Sequence, residues 1–359
     1  MSEQRQAFKG IEGARAWLAW TVVAAHVVVA SPLVYFPLFS SLIVVAEWSV
    51  KVFIIISGFV ITHLLTRTRE SYSLFISRRA LRIYPAYLIA LALGVAAAPL
   101  FMEMVAAFPM QPPHEIHQGV ARARSVSDPT LQLLLHLTLL QGMFPATQHG
   151  FLPPGWSLSL EWQFYLLAPL FVAAARMRPA ATSAAVGLLW LAFMLGAFGR
   201  FANPSLLVGA GWYFLAGIFS RLHLERLPKF SNYPLAGLLV LAPLSLLGGA
   251  LVPVIVWVAL IAYIRSDCEW TLLDGRVARY FGARSYSVYV LHSPIILLSG
   301  WCAWRLFDLP TRPAIVVTAI GTAAGVALAT ELVYRWVERP AILFGRRLST
   351  EPVPSAQGW

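Results

Sequence analysis

The sequence predicts an all-α bundle of about ten helices crossing a membrane, with both termini on the cytoplasmic side. Three observations point there. Hydrophobic residues fill 58% of the 359 positions and charged residues 12%, whereas soluble domains hold roughly 45–50% and about 25%. The apolar residues gather into runs near the length of about 20 residues that a helix needs to cross lipid. The 27 basic residues outnumber the 16 acidic ones, and only Lys9, Lys51 and Lys229 are lysines. The remaining positive charge is arginine in short segments between apolar runs, a pattern of cytoplasmic anchoring and not of a basic face for nucleic acid.

The runs lie near residues 15–33, 44–65, 83–101, 155–175, 180–199, 204–220, 233–249, 250–264, 283–304 and 313–335. The first follows Arg5, Lys9 and Arg15, and no small-residue cleavage site comes after it, so it is a retained span and not a signal peptide. The second ends at Arg67 and Arg69, and the third begins after Arg78, Arg79 and Arg82. Pro153, Pro154 and Gly155 open the fourth, which closes on Arg176 and Arg178. The fifth and sixth return the chain to Arg221, Arg226 and Lys229, and the seventh and eighth bring it to the segment Arg265 to Arg284. The last two end at Arg339 through Arg347. With these segments inside, both termini are cytoplasmic and the chain is a multi-pass protein of the cell's inner membrane.

The stretch Leu131–Phe144 is too short to span. Counting it as a crossing would move Arg176 and Arg178 outside, so a re-entrant or surface helix on the outer side is expected. The segment 102–130, with Glu103, His114, Glu115, His117, Arg122, Arg124 and Asp128, then faces outward as a lid or acceptor platform. Residues 1–348 form one membrane domain and 349–359 a short cytoplasmic tail. Cys268 and Cys302 are too few for a disulfide framework or a cysteine metal site. No Gly-Lys dipeptide occurs, which removes the P-loop and a nucleotide-driven pump. No internal repeat points to a transporter built from two halves.

Ionisable side chains inside spans are costly and are functional candidates by default. Arg15 and His26 are 11 residues apart on one helix, which places them on one face, about 20° apart in rotation and about 16 Å apart along the axis. Ser157, Glu161 and Tyr165 form a stripe on the fourth span, and Ser285, Tyr289 and His292 form another on the ninth. His26, Glu161 and His292 thus reach similar depth from three helices. His63 and His136 lack such a stripe and read as structural, as does the i, i+4 pair Glu331 and Arg335. Ser57-Gly58 reads as a close-packing or kink site. His114 and His117, with Glu115 between them, are a poor metal site.

Five stretches taken together resemble the membrane acyltransferase-3 family, the integral-membrane O-acyltransferases of bacterial surface sugars and some antibiotics. They are Gly10-Ile-Glu-Gly-Ala-Arg15 with His26 after ten intervening residues; Val52-Phe-Ile-Ile-Ile-Ser-Gly-Phe-Val-Ile-Thr62; Phe75-Ile-Ser-Arg-Arg-Ala-Leu-Arg-Ile-Tyr-Pro85; Trp156-Ser-Leu-Ser-Leu-Glu161 with Phe164-Tyr165 and Pro169; and Ser285-Tyr-Ser-Val-Tyr-Val-Leu-His292 with Pro294. The closing Glu338-Arg-Pro340 also fits. Where the family commonly has an acidic residue before the Ser-Gly-Phe motif, this chain has Lys51. Many relatives carry a further domain after the last span. This chain stops without one, so it is expected to complete transfer itself or to hand the acyl group to a separate extracytoplasmic protein.

The resemblance implies a fold of ten spans and transfer of an acyl group, acetyl foremost, from cytoplasmic acetyl-CoA or another acyl-CoA such as succinyl-CoA. The acceptor would be a hydroxyl of a cell-surface carbohydrate or its lipid-linked precursor, or of a small molecule such as a macrolide. Arg15, Arg79 and Arg82 would hold the donor's phosphates, with Arg78 assisting, although headgroup anchoring explains inner-face arginines as well. His26 would act as general base or as an acylated relay. Glu161 or His292 would orient it, and Ser157, Ser285 or Tyr289 would bind the acceptor or the oxyanion. No permanently bound cofactor or metal is expected, because a thioester is already activated. A flippase for a lipid-linked sugar would share the midplane charges and the basic inner face, and a membrane scaffold would tolerate loss of His26.

Overall fold

The computed structural model describes residues 3–68, 70–107, 128–227, 249, 251–266 and 268–348. Its helices are α1 (Glu3–Val29), α2 (Pro37–Arg67), α3 (Tyr72–Ala107), α4 (Pro129–Leu137), α5 (Gly155–Met177), α6 (Pro179–Met194), α7 (Leu207–His223), α8 (Val252–Ile264), α9 (Thr271–Asp274), α10 (Arg276–Ala283), α11 (Ser285–Trp301), α12 (Thr311–Val333) and α13 (Arg339–Arg347). A π turn over Cys302–Leu306 prolongs α11, and another over Tyr334–Glu338 joins α12 to α13. There is no strand among the described residues.

Among the described residues, five stretches are long and apolar enough to cross a membrane: Pro37–Arg67, Tyr72–Leu100, Gly155–Met177, Ser285–Leu306 and Thr311–Arg347. The apolar helices α6 and α8 are shorter, at 16 and 13 residues. Helix α1 has the length of a span but carries Glu12, Arg15 and His26, and α7 stands where the sixth run was expected. The run 233–249 lies outside the described residues except for Gly249, as do His114, Glu115, His117, Arg122, Arg124 and the tail 349–359. Apolar side chains face outward on several helices, with Leu170 71%, Ile320 65% and Leu328 65% exposed. Such a surface suits lipid, where no water competes for the helices' backbone groups.

Helix α2 lies at the centre, against α1, α5, α7 and α8. Its crossing with α7 is made by glycines: a Cβ on Gly58 would lie 2.3 Å from the Phe214 carbonyl oxygen, and one on Gly217 2.0 Å from that of Ile55. Small residues let membrane helices approach backbone to backbone in this way. The neighbouring Ser57 points elsewhere, into a cavity described below. Around the crossing lies a buried core including Ile55, Phe59, Phe164, Phe214 and Trp257. On the other side α11 packs between α1, α3 and α12. The short helices α9 and α10 press onto the first half of α1, where Gly13 meets the Leu273 carbonyl and Gly282 that of Glu12.

The odd apolar stretch does not span. Asp128 accepts from the backbone N–H groups of Thr130 (2.9 Å) and Leu131 (3.0 Å) and starts α4. Nine residues later the helix stops, after about 14 Å of rise, and the chain turns back through Leu139 at φ 57°. Tyr87 donates to the His136 carbonyl at 3.0 Å, and the Gln141 side chain donates to the Gly155 carbonyl at 3.0 Å. The segment therefore folds onto α3 and the start of α5. His136 is buried with Nδ1 against the Gln132 carbonyl at 2.9 Å, and His63 receives a hydrogen bond from Arg221 at 2.9 Å, both structural arrangements.

One expected pair is replaced. Glu331 does not bond Arg335; it accepts from Arg284 Nε at 2.7 Å and from the Tyr280 hydroxyl at 2.6 Å. The cause is that Arg284 sits at the junction of α10 and α11, which reaches the same end of α12, while Arg335 instead lies 5.8 Å from the Trp336 ring.

Candidate functional site

Three arginines enter the bundle on the first turns of α3, and the structure treats each differently. Arg78 donates to Glu70 at 2.5 Å. Arg82 is ion-paired with Glu338, whose other oxygen accepts from the Ser287 hydroxyl. Its guanidinium lies 5.4 Å from the centre of the Tyr286 ring, and that tyrosine donates to the Ile83 carbonyl at 2.7 Å. Arg79 lies 6.0 Å from the Tyr165 ring centre, and its buried Nε has no hydrogen-bond partner. Of the arginines expected to hold a donor, Arg82 thus already has a partner, the carboxylate of Glu338 delivered by the π turn before α13.

Arg15, Arg79 and Arg82 stand between two spaces. Toward α13 is a recess of about 510 Å³, whose further walls include Glu12, Arg78, Tyr334, Arg339 and Arg346. Deeper in the bundle lies a cavity of about 140 Å³ whose polar lining is Ser57, Ser157, Glu161, Tyr165, Ser285 and Tyr289. The remaining walls are mostly apolar, with Phe53, Ile54 and Phe214 among them. All three arginines line both spaces, so the boundary between them is cationic. Arg15 also has a buried Nε without a partner.

Within the cavity the polar groups divide into two sets. Glu161 accepts from the Ser57 hydroxyl at 3.1 Å and from the Tyr165 hydroxyl one turn along α5. Ser157 and Tyr289 share a hydrogen bond of 2.6 Å, and Ser157 also donates to the Pro154 carbonyl at 3.1 Å. The Ser285 hydroxyl is buried and unpartnered. The stripe Ser157, Glu161 and Tyr165 therefore does face one place. Glu161, however, bonds α2 and its own helix and makes no hydrogen bond to His26.

His26 and His292 do come together, with ring centres 4.8 Å apart and planes at 61°. Nδ1 of His26 lies 2.8 Å from the Val22 carbonyl oxygen, and Nδ1 of His292 lies 2.6 Å from that of Tyr289. A carbonyl can only accept, so in the neutral rings both hydrogens sit on Nδ1 and both Nε2 atoms carry a free lone pair. His292 is fully buried, and its Nε2 has no partner. The Tyr289 ring lies 5.8 Å from the His292 ring and joins the pair to the cavity. The arrangement offers two ring nitrogens able to take a proton, beside hydroxyl donors able to hold an oxyanion.

Four contributors gave no functional signal in the sequence. In the sequence Ser57 belongs to a packing motif, and Ser287 and Glu338 fall within family-like stretches that give them no role. His149 stands in the loop before α5, with Nδ1 3.4 Å from the Pro153 carbonyl. Burial holds its imidazole below the ordinary histidine value, and it lies within electrostatic reach of His26. A lone histidine in a loop has no periodic pattern to mark it. Lys51, where relatives commonly have an acid, is bonded to Glu47 at 2.6 Å. Among the described residues no three His, Cys, Asp or Glu side chains converge as a metal site.

No curated protein and no solved structure matches this chain. A family profile described as an acyltransferase domain matches residues 8–332. That match runs from α1 into the end of α12 and takes in every residue that lines the inner cavity, together with both members of the histidine pair. The chain belongs to the acyltransferase-3 family.

Proposed function

We propose that this membrane acyltransferase moves an acetyl group from cytoplasmic acetyl-CoA to a hydroxyl of a cell-surface carbohydrate or its lipid-linked precursor. The observation that carries the reading is that the same three arginines line both a basic recess and a buried polar cavity. A donor bearing phosphates at one end and a neutral thioester at the other suits that polarity. The phosphates remain with guanidinium groups that need counter-charge, and only the neutral arm passes them.

In this reading Nε2 of His26 takes the proton from the attacking hydroxyl as its oxygen bonds to the thioester carbonyl carbon. The carbon–sulfur bond then breaks, and the proton passes from the imidazolium to the leaving thiolate, giving ester and free thiol. The Tyr289 ring lies 5.8 Å from that of His292 and its hydroxyl bonds Ser157, so these two hydroxyls suit the oxyanion. Glu161, held by Ser57 and Tyr165, serves as counter-charge to Arg15 and not as the partner of His26. His292 serves as the second base beside His26. The acceptor is expected from the opposite side to the donor: Ser157 lines the cavity two turns of α5 before Tyr165, beside which Arg79 lies, and it donates to the Pro154 carbonyl of the loop that carries His149. The bilayer supplies the remaining boundary.

The test uses purified protein in lipid nanodiscs with acetyl-CoA labelled in the acetyl group and a panel of sugar polymers and lipid-linked sugars. Label should move to acceptor or be slowly hydrolysed, and His26→Ala should lower the rate about 10²- to 10⁴-fold while the protein stays folded. Retention of more than about a tenth of the rate removes His26 as the base. Neither transfer nor hydrolysis by the wild type would favour a transporter.

A further inference from the structure

We propose that the basic recess is the seat of the phosphorylated nucleotide end of the acyl donor, with Arg339 and Arg346 of α13 as its outer phosphate contacts. This rests on the acyl-transfer reading and deepens it, since it assigns a ligand-binding role to the helix that follows the matched region. The first support is charge. Six arginines, Arg15, Arg78, Arg79, Arg82, Arg339 and Arg346, line the recess against one carboxylate, Glu12. Glu70 takes up Arg78 and Glu338 takes up Arg82. Arg79, Arg339 and Arg346 have no carboxylate within ion-pair distance among the described residues, and Arg15 feels Glu161 and Glu338 only at longer range. Several unneutralised cations around one hollow attract a ligand with several negative charges.

The second support is placement. Arg339 and Arg346 are seven residues apart on α13, so they share a face within about 20° and lie about 10 Å apart along the axis. The helix is seated on α3 at Gly345, where a Cβ would lie 3.3 Å from Leu81 and 3.7 Å from Arg78. The third is size. At about 510 Å³ the recess is in the range of small-molecule sites, whereas the cavity beyond the arginines, at about 140 Å³, is below it. A nucleotide therefore stays in the recess while a narrow chain reaches inward. Lipid headgroups carry the same phosphate chemistry, and the experiment separates the two sources.

The full chain is placed in nanodiscs of phosphatidylcholine, and kcat/KM is measured for acetyl-CoA and for acetyl-pantetheine, which lacks the nucleotide. Arg339→Ala and Arg346→Ala, at exposed positions, should each reduce the preference for acetyl-CoA about tenfold, mainly through KM. Arg346→Lys should recover part of it, since lysine keeps the charge without the fork. Adenosine 3′,5′-bisphosphate should compete with acetyl-CoA. An unchanged preference in both alanine variants overturns the proposal, and so does inhibition by phosphatidylglycerol in the disc with none by the nucleotide. If the wild type transfers from neither donor, the acyl-transfer reading falls, and calorimetric titration with adenosine 3′,5′-bisphosphate decides the recess by itself. Binding that Arg346→Glu abolishes supports the nucleotide seat, and no binding overturns it.

Discussion

Glu338→Ala is the substitution whose cost follows most directly from the structure. The Glu338 side chain is 1% exposed and that of Arg82 21%, and one carboxylate oxygen serves Arg82 while the other serves Ser287. Removing it leaves a largely buried guanidinium and a buried hydroxyl without their acceptor. Breaking a buried pair from one side costs about 3–5 kcal/mol, and the freed hydroxyl adds about 1 kcal/mol. Because Arg82 keeps some access to the recess and to the Tyr286 ring, a loss near 3 kcal/mol is expected. Removing both charges together is a different perturbation: Arg82→Met with Glu338→Leu leaves no orphaned ion and should recover most of the loss, since apolar replacement of a buried pair is often neutral. The assay is reversible unfolding of the purified protein in mixed micelles, followed by tryptophan fluorescence, for Glu338→Ala, for Arg82→Met and Glu338→Leu singly, and for the double. A loss below about 1 kcal/mol in Glu338→Ala, or costs that simply add in the double variant, would refute the reasoning. Transfer activity should stay low in the double variant even as stability returns, because Arg82 also lines both the recess and the cavity proposed to take the donor.

Two further predictions concern packing and sidedness. Gly58→Ala and Gly217→Ala each drive a Cβ into a backbone carbonyl of the facing helix and should lower stability by about 1–3 kcal/mol. Gly187→Ala, with nothing within 4 Å of the new atom, should change nothing in the same unfolding assay. In a chain with Cys268 and Cys302 replaced by alanine, an impermeant thiol reagent should label Ala146→Cys in intact cells and Ser77→Cys only after permeabilisation. Ala146 is exposed whereas its neighbour Thr147 is 5% exposed, so a protected Ala146→Cys with a labelled Ser77→Cys would invert the orientation.

The all-helical, membrane-like character of the fold was written in hydropathy, because it follows from the energy of a chain in lipid and needs no tertiary information. The stretch 131–144 was legible for the same reason: its length is wrong for a span whatever it packs against. What hydropathy does not encode is polar partnership across helices. Glu331 and Arg335 have the spacing of a helical pair, yet Arg284 on another element takes the carboxylate. An i, i+4 contact between mobile side chains is worth a few tenths of a kcal/mol, and a neighbouring helix that brings its own arginine outbids it.

The site divides along the same line. Arg15 and His26 share a face of one helix by arithmetic, and the stripes on α5 and α11 put Ser157, Glu161, Tyr289 and His292 toward the bundle axis. Periodicity settles which way a side chain faces, but not which neighbour it meets at a given height. Glu161 and His292 were equal candidates to contact His26. In the structure His292 takes that place, and Glu161 turns to Ser57 and Tyr165. The physical difference is charge. A carboxylate deep in the bundle gains most beside hydroxyl donors and within reach of Arg15, which feels its field. Two imidazoles whose Nδ1 atoms are both satisfied by their own helices can sit together uncharged. A neutral pair can also keep its Nε2 lone pairs free in a dry interior, where a carboxylate partner would favour the imidazolium and remove the basic nitrogen that proton transfer requires.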